Sequence, residues 1–428
     1  MKKITKRDGR VVPFNKQRIY NAVLLATKAV GSENPDIAEN VADIVSEFDG
    51  ELTSVETIQD RVENALMDLG HHDIAKEYIL YRNERSKVRE NKSRLVRTVF
   101  TKIDAKNVEN NNANVDESAF DGRKKEASDA VQKIIALDSN MPEDIAKGHI
   151  DGYLYQHDLA DYNVGDHNCL FIDVEHIFTN GFQTRNGAVR SPASYATACQ
   201  LYAVACQCQS QAQFGGVGSS HIDYDLAPYV KKSFIKKFKQ GMKYLEKNAE
   251  IPADEEIYID NATLQDEHPN AYAYAMDMLE IEGKQSSQAL YHNLNTLESR
   301  AGGQVPFTSI NLGRDTSTEG RLVTRWMMEA SIDGIGKFHT TSIFPISIFS
   351  YKKGVNANPG DPNYDLKKLA LKSLSKRIYP NWVNGDWSQA HEDPNDKDTF
   401  MATMGCRTLV GYDRHGLGYS RVGRGNNV

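Results

Sequence analysis

The sequence predicts an α/β fold preceded by a mostly helical N-terminal module. Beyond about residue 118, helical periodicity alternates with short, nearly apolar runs at 170–172, 305–311 and 342–349, the pattern of strands buried on both faces of a parallel sheet. The first 92 residues instead read as a hairpin and a few helices closed on themselves. Two cysteines also stand at loop–strand junctions. Cys169 closes the polar run Gly165-Asp166-His167-Asn168 just before Leu170-Phe171-Ile172, and Cys406 sits in Thr403-Met404-Gly405-Cys406-Arg407-Thr408. Gly405 suits a tight loop that presents a side chain. Residue type alone leaves a second reading open, in which both thiols are small buried hydrophobes.

Composition sets bounds. At 428 residues and 48.0 kDa the chain has room for two or three domains. With 51 Lys and Arg against 58 Asp and Glu the net charge is −7, which argues against bulk binding to nucleic acid or to an acidic membrane. No apolar run is long enough for a signal peptide or a membrane span, so a cytoplasmic protein is expected. Five cysteines, at 169, 199, 206, 208 and 406, are too sparse and odd in number for a disulfide scaffold. No C-x-x-C occurs, which argues against a zinc site in this chain and leaves no metal ligands to nominate.

Taken in order, residues 4–14 form a hairpin about Asp8-Gly9, a strong short turn signal. Asn15 can cap a helix over about 16–30 with Ile19, Val23, Leu24 and Ala26 on one face. Helices near 36–48 and 54–69 follow, Gly70 ends the second, and a last helix runs from about 73 into the charged tract 82–89. Charges of alternating sign over 82–90 read as a solvated connector. A helix over about 121–137 precedes another that starts at Met141-Pro142. In the segment after it, His157 stands beside Asp158, an arrangement suited to a tuned acid, base or orienting hydrogen bond. His149, His167 and His221 read as structural or solvent-facing. A helix over about 191–214 carries Cys199, Cys206 and Cys208, whose spacing keeps them off a shared face, so they read as core or lining residues. The run Gly215-Gly216-Val217-Gly218-Ser219-Ser220 reads as a polar turn. It lacks the Gly-Lys-[Ser/Thr] ending of a P-loop. Further helices are expected near 226–248, 268–300, 319–332 and 363–377.

The two cysteine segments, Asn168-Cys169 and Met404-Gly405-Cys406-Arg407, resemble the active-site pair of the anaerobic (class III, glycyl-radical) ribonucleoside-triphosphate reductases. The resemblance extends through Asn112-Ala113-Asn114-Val115, Gly148-His149-Ile150, His157-Asp158-Leu159, Ser299-Arg300-Ala301-Gly302, Gln304-Val305-Pro306-Phe307, Ile343-Phe344-Pro345-Ile346 and Asp361-Pro362-Asn363-Tyr364-Asp365-Leu366. In this family the Asn-rich run 109–114 is an ordered entry into the second domain. Lys6-Arg7-Asp8-Gly9, Val12-Pro13-Phe14 and Ala75-Lys76-Glu77-Tyr78-Ile79-Leu80-Tyr81-Arg82 resemble the ATP-cone, a regulatory module that senses ATP against dATP. The implied architecture is an ATP-cone over 1–92, followed over 93–428 by an incomplete ten-stranded α/β barrel of the glycyl-radical and ribonucleotide reductase type. A finger loop near 403–411 would thread that barrel.

The resemblance implies catalytic roles for Cys406 and Cys169, with His157 and Asn168 positioning hydroxyls or moving protons. It implies effector contacts at Lys6, Arg7, Asp8, Gly9, Asn15 and Arg18, where Arg18 replaces the Lys of many cones. Tyr155 stands where the family pattern His-x-His-Asp has its first His. The implied reaction converts ribonucleoside triphosphates to deoxyribonucleotides, with ATP and dATP as effectors, formate as reductant, a radical-SAM activating enzyme as partner and a homodimer as the assembly. The family's Arg-Val-x-Gly-Tyr radical loop and four-cysteine knob do not occur in the 428 residues. Arg421-Val422-Gly423-Arg424-Gly425-Asn426 is only an echo of that loop. The expectation is a split or partial reductase that needs a C-terminal fragment bearing the glycyl radical. The alternative is a catalytically dead ATP/dATP-binding or dimerisation fragment. A pyruvate formate-lyase relative is disfavoured, since that family has adjacent cysteines on its finger, and the aerobic reductases' redox-active cysteine tail leaves no trace.

Overall fold

The computed structural model describes residues 2–7, 9–48, 50–103, 119–165, 168–184, 186–388, 392–405 and 408–410. Asp8, His167, Cys406, Arg407, the 109–114 and 112–115 segments and the 421–426 echo lie outside them. The chain forms two compact units, Met1–Thr101 and Lys102–Val428.

In the first unit, β1 (Lys3–Thr5) and β2 (Val11–Pro13) pair antiparallel with Ile4 opposite Val12, and Gly9 takes the left-handed turn conformation at φ +78°. The hairpin is followed by α1 (Lys16–Ala29) and α2 (Pro35–Ser46). β3 (Leu52–Ser54), which no sequence signal marked, then adds parallel to β1. α3 (Val55–Asp68) and α4 (His72–Ile103) complete the unit. Asn34 caps α2 by accepting from the Asp36 and Ile37 amides with Pro35 at the first helical position, and Ser54 caps α3. Asn15 occupies the cap position of α1 without making a side-chain capping bond. Val23, Ala38, Val41, Ala42, Val45 and Leu66 are fully buried at the centre. α4 continues through position 92, and Arg82 on it reaches Glu56 (2.8 Å), Asp60 (2.7 Å) and Glu63 (2.7 Å).

The second unit opens with α5 (Phe120–Ile135), a π-helical turn and α6 (Glu143–Ile150). Next come β4 (Leu170–Phe171), α7 (Val174–Asn180), the hairpin β5 (Phe182–Thr184) and β6 (Gly187–Val189), and α8 (Tyr195–Ser210). β7 (Val217–Ser219), α9 (Ile222–Leu245), α10 (Ala262–Glu267), α11 (Pro269–Thr296) and β8 (Thr308–Leu312) follow. The unit continues with α12 (Thr318–Asp333), β9 (Ile346–Tyr351), α13 (Tyr364–Lys376), β10 (Asn381–Asn384) and the hairpin β11 (Ala402–Met404) and β12 (Thr408–Val410). Five strands make one all-parallel sheet in the order β10-β9-β8-β7-β4. Every residue of β7 and β8 is buried, as a sheet covered on both faces requires.

One segment corrects the sequence reading. The glycine-rich run 215–220 is not simply a polar turn, because its centre is strand β7. Its glycines serve close approach: a first side-chain carbon on Gly218 would fall 2.5 Å from the Ser309 carbonyl oxygen on β8. Behind the sheet, α8, α9, α11 and α12 pack around Tyr195, Tyr202, Phe234, Phe238 and Trp326, all fully buried. Among the described residues no helix is long and apolar enough to cross a membrane.

Candidate active site

The site is built at the start of β4. The Leu170 amide donates to the Gly216 carbonyl (2.9 Å) and the Ile172 amide to that of Gly218 (2.8 Å), which fixes Cys169 against the entry to β7. The Gly216 N–H in turn donates to Cys169 Sγ at 3.2 Å, and the Cys169 thiol lies 3.5 Å from Asn168 Oδ1. Cys169 is thus half-buried with polar partners, unlike an inert core cysteine.

The 213–216 loop that offers this N–H is held from two sides. Gln213 donates to the Asn168 (3.2 Å) and Gly216 (2.6 Å) carbonyls. Arg300 donates to those of Phe214 (2.6 Å) and Gly215 (2.8 Å) while its guanidinium covers the Phe307 ring at 4.2 Å. Gly215 admits no side chain, since its first carbon would lie 2.1 Å from the Asn168 carbonyl oxygen. Sequence reasoning assigned no role to Gln213, Gly215 or Gly216. The Gly215-Gly216 pair was the available signal, and it was read as a turn.

The second wall is β11. Met404 and Ala402 are buried against Phe171 with Cys169 packed at the edge of the cluster. Gly405, at φ +62°, follows directly, and a first side-chain carbon built there would lie 3.2 Å from Cys169 Sγ. Cys169 therefore meets Gly405, the chain neighbour of Cys406.

His157 lies on an exposed loop, its side chain 72% accessible and its Nδ1 paired with the Asp158 carboxylate. Asp158, at φ +52°, lines a cavity of about 340 Å³ together with Tyr155, Asp161, Arg300 and Phe307. Burial raises the Asp161 pKa. Burial lowers that of Arg300, against the pull of Asp161, Asp158 and Cys169. Tyr155 is exposed and its ring lies 5.7 Å from that of His149. Cys199 and Cys206 are core residues whose thiols burial pushes up to about 12, while Cys208 is exposed.

Among the residues with expected effector contacts, Lys6, Arg7 and Gly9 lie at the β1–β2 turn, and Asn15 and Arg18 at the start of α1. Arg7 donates to Glu56 and to Gln59 (2.8 Å). The bond from Arg7, then that from Arg82, brings the Glu56 carboxyl down to about 2.

A family model described as anaerobic ribonucleoside-triphosphate reductase matches residues 111–428, and one described as ATP cone domain matches residues 2–87. The chain belongs to the anaerobic ribonucleoside-triphosphate reductase family. Over 423 residues it is 32% identical to the anaerobic ribonucleoside-triphosphate reductase of Haemophilus influenzae, covering 96% of this chain and 56% of that one. Over 414 residues it is 33% identical to the reductase of the same name from Escherichia coli K12, covering 95% and 54%. The chain spans about half the length of these curated relatives. The crystal structure of the anaerobic ribonucleotide reductase from Thermotoga maritima in complex with dATP and CTP matches with a TM-score of 0.43 at 15% identity, over 70% of this chain and 50% of that one. Membership of this reductase family accounts for the order of the motifs along the chain and for an α/β unit placed after an ATP-cone.

Proposed function

We propose that this chain carries the thiols and the effector module of an anaerobic ribonucleoside-triphosphate reductase. The observation that carries the reading is the approach of Gly405, the residue before Cys406, to the sulfur of Cys169. A ribose 2′-hydroxyl on an unactivated carbon is a poor leaving group for ionic chemistry, whereas a sulfur-centred radical exchanges hydrogen with a ribose carbon at little net cost. Cys406 takes the 3′ hydrogen and returns it at the end. Cys169 delivers hydrogen to the 2′ carbon after water departs, and the Gly216 N–H and Asn168 orient its sulfur. His157 with Asp158 moves protons at the mouth of the neighbouring cavity. The sheet and its helices hold the sugar between two thiols and exclude water. A glycyl radical on a C-terminal segment, set by a radical-SAM activating enzyme, would generate the Cys406 thiyl and be restored at the end of each cycle, and formate would supply the two reducing electrons. The working assembly is a cytoplasmic homodimer.

Lys6, Arg7, Asp8, Gly9, Asn15 and Arg18 take the effector. The donor set suits a triphosphate, for it joins cationic side chains to a helix start. A phosphate must compete with Glu56 for Arg7, so ATP or dATP binding loosens that ion pair.

The test is an anaerobic assay of this chain with the activating enzyme and a glycine-bearing C-terminal polypeptide. Deoxynucleotide should form, and Cys406→Ser or Cys169→Ser should lower its rate by about 10³-fold or more, since each removes an atom that reacts. Turnover that survives Cys406→Ser contradicts the proposal. Effector binding with no turnover in any combination points to a regulatory fragment instead.

A further inference from the structure

We infer that Asn311, at the fourth position of β8, is the positioning residue that sets the register of β11 and so the height of the finger loop beside Cys169. The inference rests on the reading of Cys169 and the finger loop given above. Asn311 is 3% exposed, and a polar side chain so deep in a sheet must find partners. Its Oδ1 accepts from the Thr403 N–H at 3.0 Å, while its Nδ2 donates to the Thr403 carbonyl at 2.9 Å and to the Ser219 carbonyl of β7 at 3.0 Å. One planar amide thus engages both backbone groups of a single finger residue, as a neighbouring strand would.

β11 needs this device because it belongs to no ladder of the main sheet. Among the described residues it pairs only with β12, with Thr403 opposite Leu409. In an antiparallel pair alternate residues turn their N–H and C=O away from the partner, and Thr403 turns both to Asn311. The apolar contacts of Ala402 and Met404 with Phe171 oppose a slip that would expose Met404, and the directional bonds to Asn311 add the exact height along the strand that non-directional contact leaves loose. A slip by one residue would move the strand about 3.4 Å and send Met404 to the opposite face. Gly405 lies two residues beyond Thr403, so the pin acts within a short, stiff span of the sulfur. Asp at 311 would keep the acceptor and lose both donors, and Ala would leave the Thr403 N–H and C=O buried without partners.

The test uses the full chain with Gly405→Cys, Cys406→Ser and Cys208→Ser combined. A first side-chain carbon at 405 lies 4.0 Å from Cys169 Cβ, within the range that a disulfide spans. Diamide oxidation followed by peptide mass spectrometry reads the rate of the 169–405 cross-link. The parent should cross-link readily, Asn311→Ala should be slower by about tenfold or more, and Asn311→Asp, which sets a buried carboxylate oxygen against the Thr403 and Ser219 carbonyls, should be at least as slow as Asn311→Ala. Ser331→Ala, which breaks a buried 3.0 Å contact with Ser373 far along the chain from the finger, should lower the melting temperature and leave the rate unchanged. If folded Asn311→Ala cross-links at the parental rate, the role of Asn311 is overturned while the active-site reading stands. If a parent shown to be folded by its melting temperature, with the introduced thiol at 405 and Cys169 both free to a thiol reagent, fails to cross-link, the placement of β11 is wrong and both fall together.

Discussion

Burial separates the cysteines into groups with different chemistry. Cys199 and Cys206 are enclosed among Tyr195, Tyr202 and the α8–α9 core, and their thiols titrate near 12, so they stay neutral and shielded at ordinary pH. A thiol reagent at pH 8 should label Cys208 first and Cys169 next, with Cys199 and Cys206 labelled only after denaturation. Peptide mapping over a time course checks this order, and early labelling of Cys206 would contradict it. Gly283 offers a second test at this scale. Its first side-chain carbon would fall within 2.4 Å of the Trp326 ring, which is fully buried and hydrogen-bonded through Nε1 to Glu280. Gly283→Ala should therefore cost about 2–3 kcal/mol by overpacking, read as a lower denaturant midpoint. The site's main residue, Cys169, was legible because a polar run breaks into an apolar strand there. Its hydrogen-bond donor was not, because Gly216 carries no side chain and a backbone N–H leaves no mark in a sequence.

At the scale of the element, β11 hangs from two fixings, Asn311 at its centre and Glu392 at its base. The Glu392 side chain is 3% exposed. It accepts from Arg314 (3.1 Å), Lys352 (2.9 Å) and the Met401 N–H (2.9 Å), while Arg314 also covers the Phe400 ring at 3.7 Å. Burial alone would raise this carboxyl, yet the bonds from Arg314 and Lys352 hold it down to about 2. A group whose pKa is depressed on folding stabilises above its unfolded value and loses that contribution as pH falls through the folded one. The base of the finger should thus loosen between about pH 4.5 and pH 2, seen as faster exchange of the Met401 amide. Glu392→Gln should reproduce the loosening at pH 7, at a cost of about 3 kcal/mol for the buried Arg314 and half-buried Lys352 left with a neutral partner. Legibility followed the same physics. β8 and β9 were found within a few residues because their apolar runs announce burial. β10 was missed because Asn381-Trp382-Val383-Asn384 is a half-polar edge strand, and β7 because its glycines and serines hide a fully buried strand.

For the whole molecule, the division into two compact units follows from composition: the first unit closes its own core around Val23, Val41 and Leu66, and the second closes one around Trp326 and Phe234. The proposed effector site lies in the first. ATP or dATP at about 100 times its dissociation constant should stabilise that unit by about 2.7 kcal/mol. Lys6→Ala with Arg18→Ala should abolish the shift in a thermal melt of the full chain. Glu56→Gln, which frees Arg7 from its competing carboxylate, should tighten nucleotide binding. The proposed chemistry requires Cys169 and Cys406 to face one sugar. Mild oxidation of the unaltered, folded chain followed by non-reducing peptide mapping tests that requirement. A disulfide between Cys169 and Cys406, formed well before Cys199 or Cys206 reacts, is the predicted result. Absence of that bond, with Cys406 oxidised only to mixed disulfides or joined to Cys208, would contradict it.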